Sequence, residues 1–327
     1  MSKRNQILAG ILLAQVLLAV FVFWPRSAPA SVGAPLFADF KASDVTALKI
    51  SDSDKNVVEL QKLGNDWVLS GADNFPADSS KVTPVLDKIA AIKTNRLVTR
   101  TSDSHKRLQV ANDDFLRKVE FTLASGATHT LFIGSAPGTR ATHVRADQQN
   151  DVYLASDLSS YELGAQAGSW IKTVYVSITQ TEMIGLTITN ITGTLQLTKD
   201  VSGTWTLNNL PAGAPLNTSA VTSLVSQAAS VTLLQPVGKQ AKPEYGLDKP
   251  LATVTAQIKP ADQPVTTLTL LVGAKDPTDN SYYAKSSASA YIVKVSEYSV
   301  RDFITKTAPD FIQPPTPTPA PNATPGT

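Results

Sequence analysis

Three histidines, one pair of adjacent carboxylates and one acid-rich turn are the residues of this chain whose types suit chemistry. His105, His129 and His143 are the whole histidine complement, and an imidazole serves as general base, nucleophile activator or metal ligand. They lie on separate segments without metal-ligand spacing, and neither G-x-S-x-G nor H-E-x-x-H surrounds them. Asp113 and Asp114 have the right type for acid–base work, but side by side in a polar stretch they read as a solvated turn. Asp52-Ser-Asp54-Lys-Asn56 opens like a calcium loop. Its sixth position is Val57, where glycine is required, and its twelfth is Leu63, where a bidentate acid is required, so it reads as a hairpin turn. No glycine-rich phosphate cradle occurs, and without cysteine there are no thiolate sites, iron–sulfur ligands, thiol nucleophiles or disulfides. These residues therefore yield no catalytic, metal-ligating or cofactor-binding assignment, and no cofactor is expected.

Aromatic residues invite a second reading. Trp67 and Trp205 occupy the same place in two matching segments, which favours core positions over ligand stacking. Tyr245-Gly-Leu-Asp248, ahead of Pro250, reads as a corner: Gly246 permits an unusual backbone angle, Leu247 plugs the core, and Asp248 bonds the chain two residues on. Tyr282 and Tyr283 are expected as an exposed aromatic patch at a strand edge, suited to a protein partner.

The elements that position these residues come in two copies, about 138 residues apart. Leu48 and Ile50 recur as Leu186 and Ile188, Trp67-Val-Leu69 as Trp205-Thr-Leu207, and Leu131-Phe-Ile-Gly134 as Leu270-Leu-Val-Gly273. Val152-Tyr-Leu154 is matched to Ala290-Tyr-Ile292. Val82, Val85, Leu86 and Ile89 make one amphipathic helical stripe and Val221, Leu224, Val225 and Ala228 another, behind capping residues at 78–80 and 217–219. Around each helix lie short alternating segments broken by polar turns, the pattern of antiparallel strands. The expected fold class is α+β: two tandem repeats, over 41–172 and 173–308, each a mostly antiparallel curved sheet packed on one main helix. Short terminal helices are expected after Ala155 and after Ser296.

Hydrophobic residues make up 42% of the 327 and charged residues 17%, the balance of a globular chain. A net charge of +2, with 29 basic and 27 acidic residues intermixed, leaves no basic patch for nucleic acid. Lys3 and Arg4 lie in a cytoplasmic N-terminus (1–6) and precede an apolar run, Ile7 to Trp24. As a helix that run is about 27 Å long, close to the ~30 Å of a bilayer core, and the charges before it favour export of everything after it. Ala28-Pro-Ala30 has the form of a signal-peptidase site. The apolar run is longer than an ordinary signal peptide's, which favours an uncleaved anchor over cleavage. Residues 25–40 read as a linker and 309–327 as a Pro-rich disordered tail.

Trp205-Thr-Leu207, the capped helix over 217–229, Tyr245-Gly-Leu-Asp-Lys-Pro250, Thr269-Leu-Leu-Val-Gly273 and the strand at Tyr291 come in an order that resembles the bacterial domain-of-unknown-function family 4340 (DUF4340). The resemblance covers about residues 41–308, as two copies, and the first departs from it by reading Lys106-Arg-Leu-Gln-Val110 in place of Tyr-Gly-Leu-Asp. Any binding by that motif would then belong to the second copy. The resemblance implies an exported, single-anchor envelope protein, some relatives being encoded beside ABC-transporter components. The expected function is a membrane-anchored, extracytoplasmic accessory or scaffold protein of an envelope complex, with ABC-transporter subunits as candidate partners. The alternatives are a binding module for a glycan, peptide or lipid in the groove between the repeats and, behind it, an envelope hydrolase.

Overall fold

The computed structural model describes residues 33–314 apart from 209 and 212, together with residues 6–7, 12–16 and 18. The expected anchor over 7–24 falls largely outside the described residues, among which no helix is long and apolar enough to cross a membrane. Ala28–Ala30 and residues 315–327 lie outside them altogether.

The first repeat contributes β1 (Val45–Asp52), β2 (Val57–Leu63), β3 (Asp66–Leu69), β4 (Phe75–Pro76), helix α1 (Ser79–Ala90), β5 (Leu97–Thr99), β6 (Arg117–Leu123), β7 (Thr128–Ile133), β8 (Ala141–Ala146) and β9 (Val152–Ser156). The second contributes β10 (Val174–Ser177), β11 (Met183–Asn190), β12 (Gly193–Lys199), β13 (Trp205–Leu207), helix α2 (Thr218–Ala229), β14 (Ser230–Gly238), β15 (Ala252–Ile258), β16 (Thr266–Lys275), β17 (Tyr282–Ser286), β18 (Ile292–Val295) and helix α3 (Glu297–Thr305). Among the described residues, every pairing of named strands is antiparallel.

Two nine-stranded sheets result, ordered β4-β3-β2-β1-β6-β7-β8-β9-β5 and β13-β12-β11-β15-β16-β17-β18-β14-β10. Without the edge strands β4 and β10 the two orders correspond strand for strand. Two of their irregularities also coincide. The β1–β6 register slips between Val45 and Ala47 as β11–β15 slips between Met183 and Gly185, and β5–β9 slips between Leu97 and Thr99 as β14–β18 slips between Pro236 and Gly238. A bulge bends its strand and raises the twist, so the sheets bend alike at these two places, whereas, among the described residues, the slips between Val272 and Lys275 and between Leu233 and Gln235 belong to the second sheet alone. Register also corrects one match. Leu97 pairs with Tyr153 where Pro236 pairs with Val293, so Tyr153 corresponds to Val293 and not to Tyr291.

Alternation decides which face each sheet buries. Leu48, Ile50, Val58, Leu60, Val119 and Phe121 point to the core in the first sheet, as Leu186, Ile188, Leu195, Leu197, Val254 and Ala256 do in the second. Helix α1 buries Val82, Val85, Leu86 and Ile89, and α2 buries Val221, Leu224, Val225, Ala228 and Ala229. Asp78 caps α1 by accepting from Ser80 N (3.1 Å), and Asn217 caps α2 by accepting from Ala220 N (3.1 Å). The two cap residues are also placed alike: Asp78 N donates to Trp170 O (2.7 Å) and Asn217 N to Phe311 O (2.8 Å), both rings buried.

Three boundary expectations change. Leu36, Phe37 and Phe40, assigned to the linker, are core residues, because a tether this apolar gains by packing against Phe121. Residues 309–312, assigned to the tail, complete the second repeat through buried Phe311 and a bridge from Ile312 to Leu216. A terminal helix follows Ser296, but after Ala155 only single 3-10 turns form, at Ser160–Glu162 and Ala167–Ser169. Among the described residues the second repeat thus has its main helix and the expected terminal helix, and the first only its main helix.

Candidate functional site

Each chemically suited residue is held by its own surroundings. His105 Nε2 lies 2.9 Å from Asn150 O, and His143 Nδ1 lies 2.7 Å from Ser135 O. His129 Nδ1 lies 3.3 Å from Asp147 Oδ2, its ring packed against Phe37 and Phe121. Asp113 forms an exposed ion pair with Lys106 (2.9 Å). Among the described residues no group of three or more His, Asp or Glu is placed to hold a metal. The acid-rich turn is a hairpin closure: Asp52 Oδ1 accepts from Asp54 N (3.0 Å) and Asn56 N (2.9 Å), and Lys55 adopts φ 66°. Burial alone would raise the Asp52 pKa, but these bonds and that of the Asn56 amide hold it below its ordinary value.

The Tyr-Gly-Leu-Asp corner exists, with its roles redistributed. Gly246 has φ 62°, and a Cβ there would lie 2.9 Å from Ala274 N. Tyr245 is the buried residue, whereas Leu247 is half-buried and Asp248 exposed. The Tyr245 carbonyl presses on Gly273, where a Cβ would come within 2.1 Å of it. The first copy builds the same corner without the motif: Gln109 takes φ 57°, and the Leu108 carbonyl would meet a Cβ on Gly134 at 2.0 Å. The motif therefore has a structural cause, the close approach of a corner carbonyl to a strand glycine.

Tyr282 and Tyr283 do not form an exposed edge patch. Strand β17 is interior, between β16 and β18, and both residues are half-buried. Tyr283 stacks on Tyr245 (centroids 4.2 Å apart) and donates to Asp276 Oδ2 (2.7 Å). Asp276 also receives Lys294 Nζ (2.6 Å) and the N–H and hydroxyl of Thr278, while Lys294 reaches Asp279 (2.9 Å). The Lys294 bond, then those of Thr278 and Tyr283, hold the Asp276 carboxyl far below the usual carboxylate range. Burial and the bond to Asp276 push the Tyr283 phenol up to about 12. Asp279 carries this network to the edge of a cleft of about 610 Å³ between the repeats.

That cleft is walled on one side by Asn56, Val58, Glu59 and Leu69 and by the turn at Ala165–Gly168, and on the other by Leu234, Gln235 and Pro236 of β14. Gly168 lets the strand in, since a Cβ there would lie 3.1 Å from Leu234 O. Beside the cleft the repeats are bolted together. Asp73 Oδ2 accepts from Lys239 N (2.7 Å), Tyr291 OH donates to Asn74 O (2.8 Å), and Phe75 meets Tyr291 edge-on (centroids 4.8 Å apart). Asp73 and Asn74 both have positive φ, 51° and 60°, a strained pair that costs of order 1–3 kcal/mol per residue and fixes the turn against Gly238.

Sequence reasoning missed this junction, β8 and β10. In β8, buried Arg145 hides the strand pattern. Its guanidinium bonds Val110 O, Asp147 O, Gln149 O and Asn112 Oδ1 and lies 4.2 Å from the Phe132 ring centre. Burial draws its pKa down.

No curated protein and no solved structure matches the chain. The family model described as Domain of unknown function (DUF4340) matches residues 67–211 and again 205–314. Both matches begin at the repeat's tryptophan, so the first runs past its own sheet into β11–β13. With most of its length matched in two tandem regions, the chain belongs to the DUF4340 family.

Proposed function

We propose that the chain is an extracytoplasmic scaffold subunit of a bacterial envelope complex, tethered by its N-terminal apolar segment. The observation that carries this reading is the junction. One continuous hydrophobic cluster runs through both repeats, and the Asp73–Lys239, Asn74–Tyr291 and Phe75–Tyr291 contacts hold them as one body. A rigid platform keeps partners at fixed separation, and the run of Ile7 to Trp24 after Lys3-Arg4 supports membrane attachment. The family resemblance, which implies relatives encoded beside ABC-transporter components, makes such a transporter the partner to look for first. The test is gentle extraction of the tagged full-length protein and mass spectrometry of what accompanies it, with a form lacking residues 1–26 as comparison. Co-purifying transporter subunits, lost from the shortened form, are expected; a lone protein, or a shortened form that still assembles at native levels, overturns the reading.

The cleft favours a second reading, a binding module for a glycan, peptide or lipid. Its volume suits a small ligand, and binding to the folded state alone would raise the melting temperature.

A further inference from the structure

The second sheet has an unusual outer face, exposed at Thr189 and Thr267 and half-buried at its other threonines. Opposite its core residues, β11, β15 and β16 carry Thr-x-Thr: Thr187 and Thr189, Thr253 and Thr255, Thr267 and Thr269. Register aligns them, with Thr187 facing Thr255, Thr255 facing Thr269, and Thr189 facing Thr253. One row of three hydroxyl side chains, Thr187-Thr255-Thr269, and one of two, Thr189-Thr253, are therefore spaced about 4.8 Å across the strands and about 6.7 Å along them, with Leu271 beside Thr253 and Gln257 beside Thr267.

A solvated sheet face need not look like this, as the first repeat demonstrates. Lys49 pairs with Glu59 and Glu120 where Thr187 pairs with Gln196 and Thr255. The first face carries ion pairs, Lys49–Glu59 and Lys118–Glu120, both 2.8 Å. At the same register positions the second has exchanged charges for hydroxyls and an amide. A concave seat of about 190 Å³ continues the array, lined by Thr269, Leu271, Lys285 and the serines 286, 287 and 289. Its cation is turned aside, Lys285 Nζ donating to Ala290 O.

We propose that this face binds a neutral polysaccharide, laid across β11, β15 and β16 with one sugar ring in the serine-lined seat. Threonine hydroxyls donate and accept, as sugar hydroxyls do, and the methyl groups cover the apolar faces of the rings. Threonine is stiff at χ1, so little rotamer freedom is lost on binding. Among the described residues Lys285, its Nζ already engaged by Ala290 O, is the one charged side chain lining the seat, so a charged polymer would give up hydration for little counter-charge. The site is separate from the inter-repeat cleft and does not depend on the proposed scaffold role.

The test is co-sedimentation of the full-length protein, in a zwitterionic detergent that carries no sugar, with insoluble cellulose and chitin and with a polyanionic glycan gel. Retention on a neutral polymer, insensitive to salt, is expected. Thr187→Lys with Thr255→Lys should weaken it about tenfold or more, while Thr122→Lys on the outer face of the first sheet leaves it unchanged. Thr187→Val with Thr255→Val, which keeps the shape and removes the hydroxyls, gives the same reading if the lysines upset folding. Three results overturn the proposal: no retention on either neutral polymer, undiminished retention of both double variants, or salt-sensitive retention on the polyanion alone. Self-association abolished by the same substitutions, without glycan retention, would assign the face to a second copy and also overturn it.

Discussion

Lys294, Asp276 and Tyr283 are buried or half-buried and bonded to one another, and their titration ties stability to pH. Asp276 has its pKa depressed in the folded state, so its contribution is present above the ordinary value of 3.8 and is lost as pH falls below it. Tyr283 is raised from 10.0 to about 12, and its contribution is complete below 10 and lost as pH climbs towards 12. Lys294 moves the same way: burial lowers its pKa, but the bonds to Asp276 and Asp279 raise it further. The melting temperature should therefore fall at both extremes, and Asp276→Asn should flatten the acid limb; an unchanged acid limb would show that other carboxylates set it. The tryptophans carry a second prediction. Trp67 is buried, but Trp205 is only half-buried, with Lys199 Nζ 5.9 Å from its ring centre. Trp67→Ala should cost about 3–5 kcal/mol and Trp205→Ala clearly less, as urea unfolding midpoints would reveal; equal losses would refute the distinction. Sequence pattern assigns both rings to the core because it records alternation. It does not record that β13 is an edge strand and β3 is covered by β4.

Strands and helices were the more legible scale. Both main helices were foreseen with their stripes and caps, because a 3.6-residue period and a capping residue are local signals. Strand β8 was not, since buried Thr142, His143 and Arg145 read as polar surface until the carbonyls that satisfy Arg145 are known. The junction was illegible for a related reason: Asp73-Asn-Phe75 looks like any turn, and its partners Lys239 and Tyr291 are more than 160 residues away. Gly238 is the sensitive point there. It has φ 125°, and a Cβ would lie 2.7 Å from Asp73 Oδ2. Gly238→Ala should push Asp73 off Lys239 N and loosen the contact while leaving both sheets intact. Hydrogen exchange would then quicken at 73–75 and 238–239 but not in β1 or β11; protection unchanged at the junction would contradict this account.

One hydrophobic cluster spans both sheets, so the two repeats are expected to unfold together. Hydrogen exchange followed through urea unfolding in β1 and in β11, one strand from each sheet, should give coincident transitions. Gly238→Ala should separate them, whereas two transitions in the unaltered protein would mean that the repeats fold independently. The two repeats are not interchangeable at the surface by which they meet. The first repeat holds the second head to tail, a contact that in principle repeats without closing and yields filaments. The cap bonds to Trp170 and Phe311 align Gly168 with Pro309, so a third unit arriving in the same way would meet a proline ring where the Leu234 carbonyl closes on a glycine. Ala214 stands where Phe75 would offer it a ring. The second repeat is thus poorly shaped to receive a neighbour as the first receives it, and this asymmetry works against stacking copy upon copy.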